Sequence, residues 1–288
     1  MTRRGLILAA LSSNHRGMVR LPGGTFRMGS DEKLLFQQFP DAGPGLKAML
    51  LAETPAHEVT IPPFWIDRHE VTNAQFQRFI RARPEWAKEQ VGGNYLRNWT
   101  GNRFPAEQAN FPVVFVSWQA AVVYAEWAGK RLPMEAEWEF AARGGRDTPR
   151  YPWGEQGPVP RLANYGESGT RGPVRVGSYP PNPYGLFDLA GNVWEFCLDE
   201  WQSPYPFGEQ RHSDLDLRRM RDAKAERRVI RGGSFEGSAF NMRVTARDSH
   251  RADNPVGHIG FRCAQPAIGS APVDKSRTAL PVRHPQTG

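Results

Sequence analysis

Glycine and proline punctuate this chain so densely, at 29 and 25 of 288 residues, that no element can run far before it meets a turn or a break. The punctuation is heaviest after Tyr151, where Trp153-Gly, Pro180-Pro-Asn-Pro-Tyr-Gly and Ala190-Gly-Asn follow one another. A helical bundle and a regular alternation of strand and helix are both excluded. Nine tryptophans point instead to aromatic packing among loops. Helix signals come first and short strand signals later, which predicts an α+β fold with little regular secondary structure.

Three helices are legible. Thr72 caps one that buries Phe76, Phe79 and Ile80 at helical spacing. Ser117 opens a second, with Trp118, Ala121, Val122 and Ala125 on one face. A third runs from Pro133 to Arg143, with acids in its first turn and Gly144-Gly145 beyond its end. Strand patterns occur at Thr25–Gly29 and His57–Asp67, then at Val193–Leu198, Val229–Phe235, Met242–Ala246 and Ile259–Ala264. The stretch Phe39-Pro-Asp-Ala-Gly-Pro-Gly reads as an irregular loop.

The net charge of +7 raises the question of a nucleic-acid partner. The excess lies in residues 1–20, 211–231 and 266–288, and the remainder is mildly acidic. No aromatic-interleaved basic stripe accompanies it, so solvated segments are expected and nucleic acid is not. No apolar run approaches the roughly 18 residues of a membrane span. Residues 1–17 carry a twin arginine and a short apolar run without a cleavage motif, and read as a disordered extension of a cytoplasmic, monomeric protein. Residues 18–265 read as one domain, 202–228 as a surface insertion within it, and 266–288 as a disordered tail.

Walker A, G-x-G-x-x-G, C-x-x-C and H-E-x-x-H patterns are all missing. The seven histidines are scattered and read as surface or satisfied core residues, and Cys197 and Cys263 as two buried thiols in adjacent strands, or alternatively a redox pair. The informative segment is Gly185-Leu-Phe-Asp-Leu-Ala-Gly-Asn-Val-Trp-Glu-Phe-Cys. Asp188 and Glu195 flank a tight turn with free carbonyls, the donor set of a hard cation such as Ca²⁺. The same pair reads equally as a turn cap and a structural ion pair.

Six further motifs accompany that segment in order. They are Met18-Val-Arg-Leu-Pro-Gly-Gly-Thr-Phe-Arg-Met-Gly-Ser, Asp67-Arg-His-Glu-Val-Thr-Asn-Ala-Gln-Phe, Pro112-Val-Val-Phe-Val-Ser-Trp, Gly129-Lys-Arg-Leu-Pro-Met-Glu-Ala-Glu-Trp-Glu-Phe, Arg231-Gly-Gly-Ser-Phe and Gly260-Phe-Arg-Cys. Over about residues 18–265 the chain resembles the formylglycine-generating enzyme (sulfatase-modifying factor) superfamily. The resemblance implies a variant of the C-type lectin fold. It is specific for fold and far less so for activity.

Members best known for their chemistry oxidise a substrate cysteine with O₂ and copper held by two cysteines after the Gly-Gly-Ser motif. Here that stretch is Gly232-Gly-Ser-Phe-Glu-Gly-Ser-Ala-Phe-Asn-Met, shorter and without a thiol. Copper(I) selects soft thiolates, so copper is not expected, and any other redox metal is left open. The His-rich iron domain of sulfoxide synthases is missing. Pyoverdine-maturation oxidases share the domain without the copper pair.

Carried over residue by residue, the family's structural Ca²⁺ maps onto Asp188, the Gly191 and Val193 carbonyls and Glu195. A weaker Ca²⁺ site maps onto Asn164 and the Tyr165 carbonyl. The family's active-site Trp and Ser correspond to Trp194 and Ser234. Glu236, Asn241, Arg243 and Arg247 are the expected substrate-binding residues of the cleft. The reading is a divergent oxidoreductase acting on a peptide or small metabolite in a biosynthetic pathway. The alternative is a catalytically silent module binding a peptide or partner in the same cleft.

Overall fold

A computed structural model describes residues 15–206, 210–211 and 220–267, with the side chains of 210 and 211 excepted. The expected extension and tail fall largely outside these residues, as does part of the 202–228 insertion.

The three legible helices form where their signals lie. Helix α3 (Asn73–Ala82) begins with a reciprocal capping box between Thr72 and Gln75 and buries Phe76, Phe79 and Ile80. Helix α5 (Trp118–Trp127) is capped by Ser117, whose hydroxyl accepts the Ala120 N–H at 3.1 Å. Helix α6 (Glu135–Arg143) stops at Gly144 in the left-handed conformation, φ 62°, which glycine adopts without strain. A short α4 spans Lys88–Val91.

The expected irregular loop holds over residues 39–43, with Pro44 and Gly45 already helical, and two helices the sequence did not show flank it, α1 (Glu32–Gln38) and α2 (Pro44–Leu51). Asp31 caps α1, and Pro44 sits in the first turn of α2. Their buried Leu35 and Leu50 form a small apolar cluster with Ala42, against which Phe240 packs. That tertiary partner lies some 200 residues away in sequence, which is why local pattern did not reveal the pair.

Strands are short and fall into three sheets. In the first, β4 (Phe64–Asp67) lies between β1 (Met18–Leu21) and β10 (Ala264–Pro266), antiparallel to both. In the second, β3 (His57–Ile61) pairs antiparallel with β2 (Gly24–Met28) and parallel with β6 (Gln210–Arg211). The third has the order β8-β7-β5-β9, comprising β5 (Trp194–Glu200), β7 (Arg227–Arg231), β8 (Arg247–Arg251) and β9 (Ile259–Gly260). Its register sets Glu195 opposite Arg231, Arg231 opposite Arg247, and Trp194 beside Ile259.

The expected strand Met242–Ala246 is corrected. Residues Ala239–Met242 form a 3₁₀ turn, and pairing with β7 starts only at Arg247. Ile259–Ala264 is likewise divided between two short strands in different sheets. The α+β class holds, but the assignment to a C-type lectin variant is corrected: the described strands build three small sheets tied together by helices and loops.

Strand β5 is buried on both faces. Trp194, Phe196 and Leu198 enter an aromatic core with Phe76, Phe79, Tyr124 and Phe261, while Cys197 enters a second core with Trp138 and Val229.

Candidate functional site

The turn before β5 is built on left-handed backbone at Asp188 (φ 56°), Gly191 (φ 85°) and Asn192 (φ 61°). At Gly191 a Cβ would lie 2.3 Å from the Asn164 carbonyl oxygen, so only glycine lets the two loops touch. Asn192 then ties them to the remainder. Its side chain donates to Glu70 Oε1 at 2.9 Å and accepts the Val174 N–H at 2.9 Å.

The expectation that Asp188, Gly191, Val193 and Glu195 hold Ca²⁺ is corrected here. Both oxygens of Glu195 are taken by Arg262, Nε to Oε2 and Nη2 to Oε1 at 2.6 Å each, and Trp138 Nε1 donates to Oε2 at 2.9 Å. Glu195 therefore forms the structural ion pair that its spacing equally allowed. Asp188 Oδ2 accepts the Gly177 N–H at 2.6 Å. No group of three or more His, Cys, Asp or Glu side chains is placed to hold a metal among the described residues. At the weaker site, Asn164 Oδ1 accepts from Ser168 and Thr170, and the Tyr165 carbonyl accepts the Ser168 N–H at 2.8 Å.

Glu70 and Asp188 share this buried centre. Burial, and next the charge of Asp188, push the Glu70 carboxyl well above its usual range. Burial likewise raises Asp188 to about 6. Glu70 Oε2 and Asp188 Oδ1 are buried with no other donor at hand, and the two carboxyls meet in a side-chain hydrogen bond that a proton on Glu70 supplies.

The expected cleft residues separate into two groups. Trp194, buried on β5, donates its backbone N–H to the His258 carbonyl at 2.9 Å. Ser234 is buried, and its Oγ accepts the Glu236 N–H at 3.3 Å. Glu236 is exposed and brings Oε2 to 3.2 Å from His258 Nδ1. The His258 ring lies edge-on to that of His250 at 6.4 Å. His258, which sequence reasoning missed, is thus met by the Glu236 carboxylate at its ring and by the Trp194 backbone at its carbonyl, while Ser234 holds the Glu236 backbone. Its one signal is its place two residues before the Gly260-Phe-Arg-Cys motif.

Arg243, Arg247 and Asn241 turn elsewhere. Buried Arg243 forms a two-point pair with Glu53 and lies 4.0 Å over the Phe240 ring. Buried Arg247 grips Glu135 of α6 at 2.6 and 2.7 Å and donates to the carbonyls of Ala52 and Gln202. Asn241 Oδ1 caps the 3₁₀ turn by accepting the Ser238 N–H at 3.2 Å. Glu139, held below its usual range because Arg143 and Arg231 outweigh its burial, extends the same network.

The copper of the resembled enzymes does not fit these residues. The loop after Gly232-Gly-Ser offers Glu236, Ser238 and Asn241, which are hard donors. Cys197 and Cys263 are unpaired, fully buried, and pushed well above the usual thiol range by burial, so neither is a ready thiolate.

Comparison with known proteins agrees with this arrangement. The sulfatase-modifying factor enzyme 1-like domain matches residues 5–267. The chain is 37% identical to a formylglycine-generating enzyme of Thermomonospora curvata, over 86% of this chain and 93% of that one. It is 36% identical to the inactive Cα-formylglycine-generating enzyme 2 of Bos taurus, over 87% and 88%. The structure of PvdO from Pseudomonas aeruginosa superposes with a TM-score of 0.62 at 27% identity, covering 86% of this chain and 94% of that one. That match is to the formylglycine-generating type of fold and sets the C-type lectin label aside. The chain belongs to the sulfatase-modifying factor enzyme 1-like family, in a divergent form that lacks the paired copper-ligating cysteines.

Proposed function

We propose that the chain is an oxidoreductase that acts on a peptide or small metabolite in a biosynthetic pathway, at the surface site of Glu236 and His258 beside Trp194 and Ser234. The observation that carries this reading is the Glu236–His258 pair, 3.2 Å apart and partly open to solvent. A carboxylate at Nδ1 fixes the tautomer of an imidazole and leaves Nε2 as a proton acceptor. Ser234 and Trp194 brace the two loops that carry the pair. Copper-dependent formylglycine formation is not the activity proposed.

The experiment is O₂ uptake by the full chain in the presence of a fractionated cell extract, with untargeted mass spectrometry of the peptide and metabolite pool. An O₂-dependent mass change is expected with the native chain and is lost with His258→Gln. If neither O₂ uptake nor a mass change separates the two proteins, the reading fails.

A second reading, a silent module binding a peptide or partner, is favoured by one observation. The 232–242 loop carries no thiol and both cysteines are buried, so the site lacks the redox ligands of the resembled enzymes. Retention of a compound from the same extract without chemical change would support it.

A further inference from the structure

A cleft of about 270 Å³ opens between α1 and the loop 148–155, and none of Trp194, Ser234, Glu236 and His258 lines it. Its wall carries four guanidiniums, Arg27, Arg143, Arg150 and Arg243, against the carboxylates of Asp31 and Glu155. These charges are not equally available. Arg143 is held by Glu139 at 2.7 Å and Arg243 by Glu53, all of them buried. Arg27 reaches Asp31 only at 3.7 Å with both side chains exposed, an arrangement that contributes little and exchanges readily.

Arg150 is different. Its guanidinium lies over the rings of Phe39 and Tyr151, at 5.8 and 5.7 Å from their centroids. Glu155 accepts from the Arg150 backbone N–H at 3.1 Å rather than from its side chain. Ring faces hold a guanidinium in place without using its N–H donors. At the same cleft Leu34 leaves 58% of its surface open, the most exposed of the large apolar side chains among the described residues.

We propose that this cleft binds a small aliphatic carboxylate, its two oxygens received by the forks of Arg150 and Arg27 and its chain laid on Leu34. A planar guanidinium matches a carboxylate at two points. With Arg143 and Arg243 already neutralised, Asp31 and Glu155 oppose a second negative charge, which favours a monoanion over a phosphate. The volume suits a molecule of amino-acid size. The carboxylate can belong to a free acid or to the C-terminus of a peptide, and the site is independent of the oxidoreductase reading.

Isothermal titration of the full chain with sodium hexanoate, and with Ala-Ala-Leu as its free acid and as its amide, tests this. At least one acid is expected to saturate a single site, while hexanamide and the amidated peptide do not bind. Hexanoate binding assigns a free acid, and binding of the peptide acid alone assigns a chain terminus. Arg150→Gln is expected to weaken binding at least about tenfold, the scale of a lost charge-assisted pair. Leu34→Ser is expected to weaken hexanoate more than acetate. Both residues are exposed, so unchanged melting temperatures provide the control. Absence of saturable binding by either acid, equal binding of the amides, or undiminished affinity in Arg150→Gln would overturn the proposal.

Discussion

Arg262 closes on Glu195 at two points of 2.6 Å in a fully buried ion pair, and this contact holds β5 to the chain segment just after β9. Burial opposes the charge of Arg262, but Glu195 outweighs it and drives the guanidinium above its usual range. Arg262 also donates to the carbonyls of Asp67 and Arg68 at the end of β4 and of Phe187, so two further segments meet on one side chain.

Arg262→Met should therefore destabilise the fold by about 3–5 kcal/mol, because it leaves Glu195 charged and unpaired in the interior. Arg262→Met combined with Glu195→Gln should recover part of that loss. Urea unfolding of the native chain and the three variants gives the coupling. Additive effects of the two substitutions would show that the pair is not the main tie.

The Glu70–Asp188 centre predicts a pH response. The Asp188 carboxyl rises from 3.8 in the unfolded chain to about 6 in the folded one, with burial as the leading cause. A carboxyl raised in this way contributes most stability below pH 3.8, and that contribution is lost as pH rises through about 6. Melting temperatures of the native chain should carry this downward component between about pH 4 and 7, and Asp188→Asn should show a shallower one, because burial still raises Glu70. Parallel profiles for the two proteins would refute the assignment.

Arg247→Met should act on stability before it acts on ligand. Its guanidinium joins Glu135 of α6 to the carbonyl of Ala52 at the end of α2. A loss of about 3 kcal/mol or more is expected, together with faster amide exchange in α1 and α2. Exchange that stays unchanged in those helices would show that Arg247 does not hold them.

A Cys-x-Pro-x-Arg peptide incubated with Cu(I), O₂ and the full chain should keep its cysteine. The hard donors of the 232–242 loop and the buried thiols leave no soft pair for copper. Mass spectrometry that found formylglycine in the peptide would contradict this.

Both cysteines should also resist modification in the native state. Cys197 and Cys263 have no exposed surface, and burial raises both thiols. Reaction with a thiol reagent is expected only on unfolding, at two equivalents per chain. Fast labelling of either residue in the folded chain would place it nearer the surface.

The sequence by itself determined the elements whose signals are local. Thr72, Ser117 and Gly144 bound their helices through hydrogen bonds and backbone angles set within a few residues. The ordered motifs, likewise written in the chain, set the family. Tertiary structure decided what depends on distant partners. Helices α1 and α2 exist against Phe240, and Glu195 answers to Arg262 rather than to a cation. Arg243 and Arg247 are consumed by Glu53 and Glu135, while His258 gains Glu236. The physical reason is that a charged side chain takes whichever partner the fold brings within about 3 Å, and spacing along the chain carries no record of that choice.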